Sequence, residues 1–264
     1  MLANVHIESL VYDSAGVQVD AYLLYQPGTH TNPAVVYARS GGVLNEVTPF
    51  IISAHLVPLA AAGFCVVATQ YRKPPHGNDE FGGAEVADLV NVAALLGQLP
   101  EADPKRAGLV GWSRGAMMVH LALAHAPSAF RAAVSAAGVA DQFAELERRP
   151  EMEEVFTKQV PGFAERRERE LSRRSPVLWA EQLPREVPIL LLHGSSDWRV
   201  SPTQSLELAG RFLELGQPHR LVVYEGAEHG IREFRDEANR EVIRWFERYL
   251  DPDTAPPDMT PHGP

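Results

Sequence analysis

The order of hydrophobic and polar positions predicts a strand pair at the start of the chain. Residues 5–11 and 17–25 alternate with the two-residue period of half-buried strands. Asp-Ser-Ala-Gly at 13–16 lies between them and is typical of a turn. We therefore predict an antiparallel hairpin made of Val5–Val11 and Val17–Tyr25.

Behind the hairpin, short strands and helices are predicted to alternate. Most of the strands are continuous apolar runs, as parallel strands covered on both faces should be. They are Ala34–Tyr37, Phe64–Thr69, Ala107–Gly111, Ala132–Ser135, Pro188–His193 and Arg220–Tyr224. The helical segments are Ile51–Ala62, Ala84–Leu96, Arg114–His125, Thr203–Leu215 and Glu233–Leu250. This alternation predicts an α/β fold, with a mostly parallel central sheet, an antiparallel N-terminal hairpin and helices on both faces.

Two segments fall outside the alternation. Residues 141–184 are polar, rich in Arg and Glu, and only weakly periodic. They fit either a solvated helical excursion or a small helical cap over an active site. Residues 251–264 contain five prolines and are expected to be disordered. We accordingly predict one catalytic domain over residues 1–250, followed by a tail.

Composition and charge narrow the classes of partner. Of 264 residues, 24 are Lys or Arg and 34 are Asp or Glu, so the formal net charge is −10. A field of that sign repels phosphate backbones and anionic lipid, which argues against nucleic acid or a membrane as a partner. The single cysteine, Cys65, cannot form an internal disulfide. Since neither a signal peptide nor a membrane-length apolar run is visible, we expect a cytoplasmic protein.

Residues 111–115, Gly-Trp-Ser-Arg-Gly, match the pattern G-x-S-x-G. They follow a predicted strand and open a predicted helix, the setting in which a tight turn exposes a nucleophilic serine. The hydroxyl of Ser113 would stand at the helix N-terminus, where free N–H groups and the helix dipole favour developing negative charge. We therefore predict a nucleophile at Ser113 rather than an ordinary N-cap serine.

A serine nucleophile needs a base, and the base needs an orienting acid. After this motif the chain order is serine, acid, histidine. His229 follows the last predicted strand and is the predicted base. Asp197, in the loop after Pro188–His193, is the predicted acid. Asp141, which follows the preceding strand, and Glu225 stay open as alternatives.

The tetrahedral intermediate of acyl transfer needs two hydrogen-bond donors. The N–H group of Arg114 is one by its position, and we expect the other from Gly41, to within one residue, in the loop after the strand ending at Tyr37.

Trp112 and Trp198 flank the predicted nucleophile and acid, and either line a substrate pocket or pack behind it. His229 and Glu233 are four positions apart, as metal ligands can be, but no third ligand is suitably spaced, so we expect no metal. We also expect no cofactor, because the sequence has no phosphate-binding glycine loop.

Three stretches resemble the catalytic domain of the prolyl oligopeptidase family of serine peptidases. They are Gly-Trp-Ser-Arg-Gly at 111–115, His-Gly-Ser-Ser-Asp-Trp-Arg-Val at 193–200 and Glu-His-Gly at 228–230. Tyr-Arg at 71–72 and Glu-Phe-Gly-Gly at 80–83 also stand where that family has similar sequence. The resemblance extends over roughly residues 33–250. It implies an α/β-hydrolase fold and the triad already reached from spacing.

The sequence departs from the family pattern in three places. About 30 residues precede the predicted core, so we expect no β-propeller of the kind that large members carry. Ser-Gly-Gly-Val at 40–43 stands where many relatives have His-Gly-Gly-Pro, and Ala116 replaces a common glycine.

The first hypothesis for the function is hydrolysis of a small-molecule or short-peptide substrate at an amide bond. A carboxylesterase acting on small esters is the second. A non-catalytic binding module on a hydrolase scaffold is the third. The sequence leaves the oligomeric state open.

Overall fold

The computed structural model describes residues 4–42 and 46–263, and within them eight strands form one sheet. The strands are β1 His6–Ser14, β2 Val17–Tyr25, β3 Asn32–Ala38, β4 Cys65–Thr69, β5 Ala102–Trp112, β6 Ala132–Ala136, β7 Ile189–Gly194 and β8 His219–Tyr224. Residues 1–3 and Pro264, at the ends of the predicted domain and tail, and Val43 of the predicted glycine turn lie outside the described residues.

The order across the sheet is β1-β2-β4-β3-β5-β6-β7-β8. β1 pairs with β2, and β2 with β4, in antiparallel register, and the remaining neighbours are parallel. The predicted mostly parallel sheet with an antiparallel hairpin is therefore confirmed. Because β3 and β5 are central and parallel, their carboxyl ends meet at one edge, where α/β sheets bind ligands.

Helices cover both faces of the sheet. Helix α1 has three consecutive parts, Pro49–Ile51, a π-helical segment Ile52–Leu56, and Val57–Ala61. The other helices are α2 Val86–Leu96, α3 Arg114–His125, α4 Gln142–Arg148, α5 Met152–Gln159, α6 Phe163–Arg173, α7 Thr203–Leu215 and α8 Arg235–Tyr249. Helices α3 and α7 begin and end where the sequence predicts.

Two hydrophobic layers separate the sheet from these helices. Alternate residues of β3 belong to opposite layers: Val36 packs in the layer that contains Leu89 of α2, and Val35 in the layer that contains Phe246 of α8. Both valines are fully buried. A strand covered on both faces has no polar side, which is why these strands are continuous apolar runs in the sequence.

The segment that interrupts the strand–helix alternation is helical. It holds α4, α5 and α6 and two 3₁₀ turns, Pro176–Leu178 and Ala180–Gln182. Its role as a cap stays a prediction, as does disorder of the tail, whose described residues 251–263 contain no helix or strand. Over 4–42 and 46–263, no helix combines the length and the apolar character needed to cross a membrane.

Candidate active site

Ser113 lies in a strained turn between β5 and α3. Its backbone has φ 57° and ψ −120°, a conformation that non-glycine residues rarely adopt. The N–H group of Ser113 donates to the Ala136 carbonyl at 2.8 Å, which fixes the turn to β6. The turn directs the Ser113 side chain to the carboxyl edge of the sheet, as the motif predicts.

The two glycines of the motif permit this turn. A Cβ added at Gly111 would overlap the carbonyl oxygen of Gly115, and one added at Gly115 would overlap that of Ala38 at the end of β3. Both obstacles are backbone atoms, which cannot rotate away. The first turn of α3 therefore sits directly against the end of β3.

Gly115→Ala is expected to lower the free energy of unfolding by roughly 1–3 kcal/mol, because the new methyl group forces α3 away from β3. Gly210, in the middle of α7, is a matched control, since nothing lies within 4 Å of an added Cβ there. Gly210→Ala should raise the free energy of unfolding by roughly 0.5–1 kcal/mol. Urea unfolding followed by circular dichroism measures both, and equal shifts would contradict the contact with Ala38.

The predicted acid and base are in contact. His229 Nδ1 lies 2.7 Å from Asp197 Oδ2, and the Asp197 side chain is buried. The other carboxylate oxygen, Oδ1, accepts from the N–H groups of Arg199 and Val200 at 2.8 and 3.0 Å. Since a carboxylate only accepts, His229 Nδ1 carries a proton and neutral His229 keeps Nε2 free to act as a base.

The environment keeps Asp197 ionised. Burial alone would raise its pKa, but hydrogen bonds from His193 and His229, the charge of protonated His229 and the N–H of Val200 hold the pKa well below its usual range. A buried negative charge at this point favours the imidazolium that His229 becomes when it takes a proton.

His193, at the C-terminal end of β7, is a second histidine on the acid. Its Nε2 atom lies 3.1 Å from the Val200 carbonyl oxygen and 3.2 Å from Asp197 Oδ2. Both are acceptors, so Nε2 carries a proton and donates to both. Its Nδ1 atom is 2.7 Å from the Ser205 hydroxyl. From the sequence, His193 is predicted only to end a buried strand, and its position four residues before Asp197 is the signal that could have revealed this contact.

Several contacts tie the acid loop to the base loop. The N–H of Ser195 donates to the Tyr224 carbonyl at 2.8 Å, and that of Ser196 to the Ala227 carbonyl at 3.0 Å. The Trp112 indole donates to the His229 carbonyl at 2.9 Å, which places the base beside the serine turn. Among the described residues no hydrogen bond joins Ser113 to His229, whose Nδ1 atom faces Asp197.

The alternative acids occupy other positions. Asp141 caps α4, where its side chain accepts from the N–H groups of Phe143 and Ala144 at 2.8 and 3.4 Å. Glu225 is exposed in the loop after β8. Within the described residues, Asp197 is the carboxylate that contacts His229.

The predicted oxyanion donors lie on neighbouring segments. Gly41 has φ +81° in the turn after β3, and its carbonyl accepts from Arg114 Nη1 at 3.0 Å. The Gly42 carbonyl accepts from Arg39 Nη1 at 2.8 Å. Among the described residues, neither the Gly41 nor the Arg114 backbone N–H donates to a backbone carbonyl. Their role as the oxyanion hole stays a prediction.

The two arginines belong to a buried ionic network with Asp79 and Glu85. Arg39 pairs with Asp79 at 2.8 Å, and Arg114 pairs with Asp79 and, at 2.7 Å, with Glu85. Burial would raise the pKa of Asp79, but the two guanidinium groups lower it on balance. The ring of Tyr71 lies under both arginines, and its centroid is 4.8 Å from the guanidinium carbon of Arg39 and 5.5 Å from that of Arg114. The opposite charges of the network neutralise one another, and its two arginines also bind the carbonyls of Gly41 and Gly42 in the turn after β3.

The two predicted substrate-binding tryptophans pack against groups outside the pocket beside Ser113. Trp112 packs against His55, with ring centroids 5.1 Å apart, and the exposed Trp198 packs against Arg199. Neither lines the pocket beside Ser113 in the described part of the chain. Their part in substrate binding stays a prediction.

The pocket beside Ser113 is walled mainly by apolar side chains and also has charged lining groups, among them Glu145 of α4 and Arg149, which follows α4. Its lining residues are Phe81, Ser113, Arg114, Met117, Val139, Gln142, Glu145, Arg149, Met152 and Val200. Sequence reasoning missed Glu145 and Arg149, because the weak periodicity of residues 141–184 gave no sign of which polar positions face inward.

Comparisons with known proteins give consistent matches. The family model described as Prolyl oligopeptidase family matches residues 52–253. The uncharacterized peptidase YtmA of Bacillus subtilis is 26% identical over 251 residues, which are 94% of each chain. Dipeptidyl-peptidase 5 of Porphyromonas gingivalis is 24% identical over 234 residues, which are 83% of this chain and 34% of that protein.

A solved structure has the same fold. Pyrococcus horikoshii acylaminoacyl peptidase superimposes with a TM-score of 0.78 at 22% identity, over 94% of this chain and 42% of that chain. The chain therefore spans nearly the whole of one relative and less than half of the other two.

Proposed function

The chain belongs to the prolyl oligopeptidase family and is a hydrolase of the serine-peptidase type on an α/β-hydrolase fold, and from that premise we propose that it cleaves short peptides or small amides through an acyl-enzyme on Ser113. The observation that carries this proposal is the contact of 2.7 Å between the buried Asp197 carboxylate and His229, which Trp112 ties to the strained Ser113 turn. The names of the relatives, which are peptidases, favour an amide as the scissile bond.

In the first half-reaction, Ser113 Oγ attacks the substrate carbonyl carbon while His229 Nε2 takes the hydroxyl proton. The carbonyl oxygen gains negative charge and accepts hydrogen bonds from the N–H groups of Gly41 and Arg114. Asp197 stabilises the imidazolium. His229 then returns the proton to the leaving amine, the C–N bond breaks, and the acyl group stays on Ser113 as an ester.

In the second half-reaction, a water molecule takes the place of the amine. His229 Nε2 accepts a proton from the water as its oxygen attacks the ester carbonyl, and the same two N–H groups stabilise the second oxyanion. The proton passes to Ser113 Oγ when the acyl bond breaks. The products are a carboxylic acid and the free enzyme.

A paired assay tests the substrate class. Aminoacyl 4-nitroanilides and short-chain 4-nitrophenyl esters are given to the same preparation, with Ser113→Ala as the background. We expect Ser113-dependent release of nitroaniline. Hydrolysis of the esters alone would favour a carboxylesterase, and hydrolysis of neither would favour a binding module.

A further inference from the structure

Glu145 is a buried carboxylate in the pocket beside the nucleophile. It projects from α4, is 2% exposed and lines the same pocket as Ser113. One of its oxygens, Oε2, has no hydrogen-bond partner within the described residues. A buried acceptor without a partner costs free energy, so its retention calls for an explanation.

The charge of Glu145 is only partly compensated. Its Oε1 atom lies 3.3 Å from Arg149 Nη1, and Arg149 also contacts the exposed Glu151 at 2.9 Å. Burial raises the pKa of Glu145 to about 7 although Arg149 and Arg148 act to lower it, and the negative charge of Asp197 adds to the rise. A further positive group beside Oε2 would stabilise the carboxylate.

The position of α4 relative to the catalytic groups is fixed. Arg148, on the same helix, donates to the carbonyl of Trp198 at 2.8 Å and to that of Arg199 at 3.1 Å, in the loop that carries Asp197. Glu145 is thus placed on an element that is bound to the acid loop, as a group that recognises substrate needs to be.

The apolar walls of the pocket indicate what kind of side chain would carry the positive group. Phe81, Met117, Val139 and Met152 present apolar surface around the carboxylate. A side chain with a methylene stem and a cationic end satisfies both parts of such a pocket, since the stem packs on apolar surface while the charge is paired. The net charge of −10 also attracts cationic substrates.

We propose that Glu145 is a specificity-determining residue that binds the side-chain cation of a lysine or arginine residue at the scissile bond. The proposal rests on the proposed function, since it takes Ser113 as the nucleophile. Glu145 Oε2 accepts a hydrogen bond from the ammonium or guanidinium group, and Arg149 keeps its contact with Oε1.

The test compares substrates with and without a cationic group at the end of the side chain. N-acetylated lysine, arginine and norleucine are prepared as 4-nitroanilides and as thiobenzyl esters, together with norleucine derivatives whose α-amine is free. Norleucine keeps the apolar stem of lysine without its charge. Each series is run on the wild type, on Glu145→Gln and on Glu147→Gln, which changes an exposed carboxylate of the same helix. Fluorophosphonate labelling of Ser113 counts the active sites in each preparation.

We expect the wild type to prefer lysine or arginine over acetylnorleucine by roughly 10- to 100-fold in kcat/KM, the range for a hydrogen bond to a charged group. Glu145→Gln should reduce that ratio to within a few-fold, while Glu147→Gln should leave the ratio intact. The larger of the lysine and arginine ratios identifies the cation.

Any of three results overturns the inference and leaves the proposed function standing. In the first case, the wild type cleaves the lysine, arginine and acetylnorleucine substrates equally well. In the second, the preference for a cationic side chain survives in Glu145→Gln. In the third case, the wild type prefers only the norleucine substrates whose α-amine is free. If the enzyme cleaves only the thioesters, the proposal of amide hydrolysis fails. The ratios of kcat/KM for lysine or arginine over acetylnorleucine, measured on the thioesters, then still decide the role of Glu145. If labelling is absent and neither series is cleaved, the proposed function fails and the inference fails with it.

Discussion

Replacing Ser113 by alanine is expected to abolish labelling by a fluorophosphonate probe and to lower kcat by roughly 10⁵- to 10⁶-fold, as loss of the nucleophile does in serine proteases. The turn at φ 57° presents the hydroxyl at the start of α3, and the Asp197–His229 contact supplies an oriented base. Alanine keeps the Cβ atom and removes only the reacting oxygen. In-gel fluorescence and hydrolysis of a small ester measure the two effects.

The matched control is Ser128→Ala, which changes an exposed serine away from the turn. It should label and turn over as the wild type does. Circular dichroism spectra show whether both variants keep the fold. Labelling that persists in Ser113→Ala would place the nucleophile at another residue and remove the proposed mechanism.

The elements that carry Ser113, Asp197 and His229 could be predicted because their sequence signals are local. Strands buried on both faces appear as short apolar runs, and α3 and α7 begin and end as predicted. The loops that follow β5, β7 and β8 then had to meet at one edge, since parallel strands share their carboxyl ends. Asp197 and His229 are brought together by that topology, although 32 positions separate them.

The groups that surround these three residues could not be predicted in the same way. Asp79 lies 40 positions from Arg39 and 35 from Arg114, and no local pattern links them. Arg114 was assigned a backbone role alone, and its side chain turns out to hold the Gly41 carbonyl. A charged residue in an otherwise apolar stretch has the same sequence signal whether it is solvated or buried against a partner.

The buried network also connects stability with catalysis. Removing one partner of a buried ion pair leaves an uncompensated charge, which is strongly destabilising, whereas the intact network adds little net stability. Its effect here is geometric: Arg39 and Arg114 hold the carbonyls of Gly42 and Gly41. Arg39 also donates to the Ser40 carbonyl at 3.2 Å, and because that carbonyl shares a peptide plane with the Gly41 N–H group, the direction of this N–H group is fixed as well. The proposed oxyanion donor therefore needs no reorganisation when charge develops.

Asp197→Asn is expected to lower kcat by roughly 10⁴-fold while the protein stays folded, the loss that follows a wrong imidazole tautomer in serine proteases. The asparagine oxygen must still accept from the N–H groups of Arg199 and Val200, so its NH₂ group faces His229 Nδ1. Two donors cannot bond to each other, and His229 pairs with the amide only by moving its proton to Nε2, where it no longer acts as a base. Asp141→Asn is the matched control, because asparagine caps a helix as well as aspartate does, and it should change kcat little. Steady-state rates and thermal unfolding curves for both variants decide the assignment, and a loss confined to Asp141→Asn would move the acid to the loop after β6.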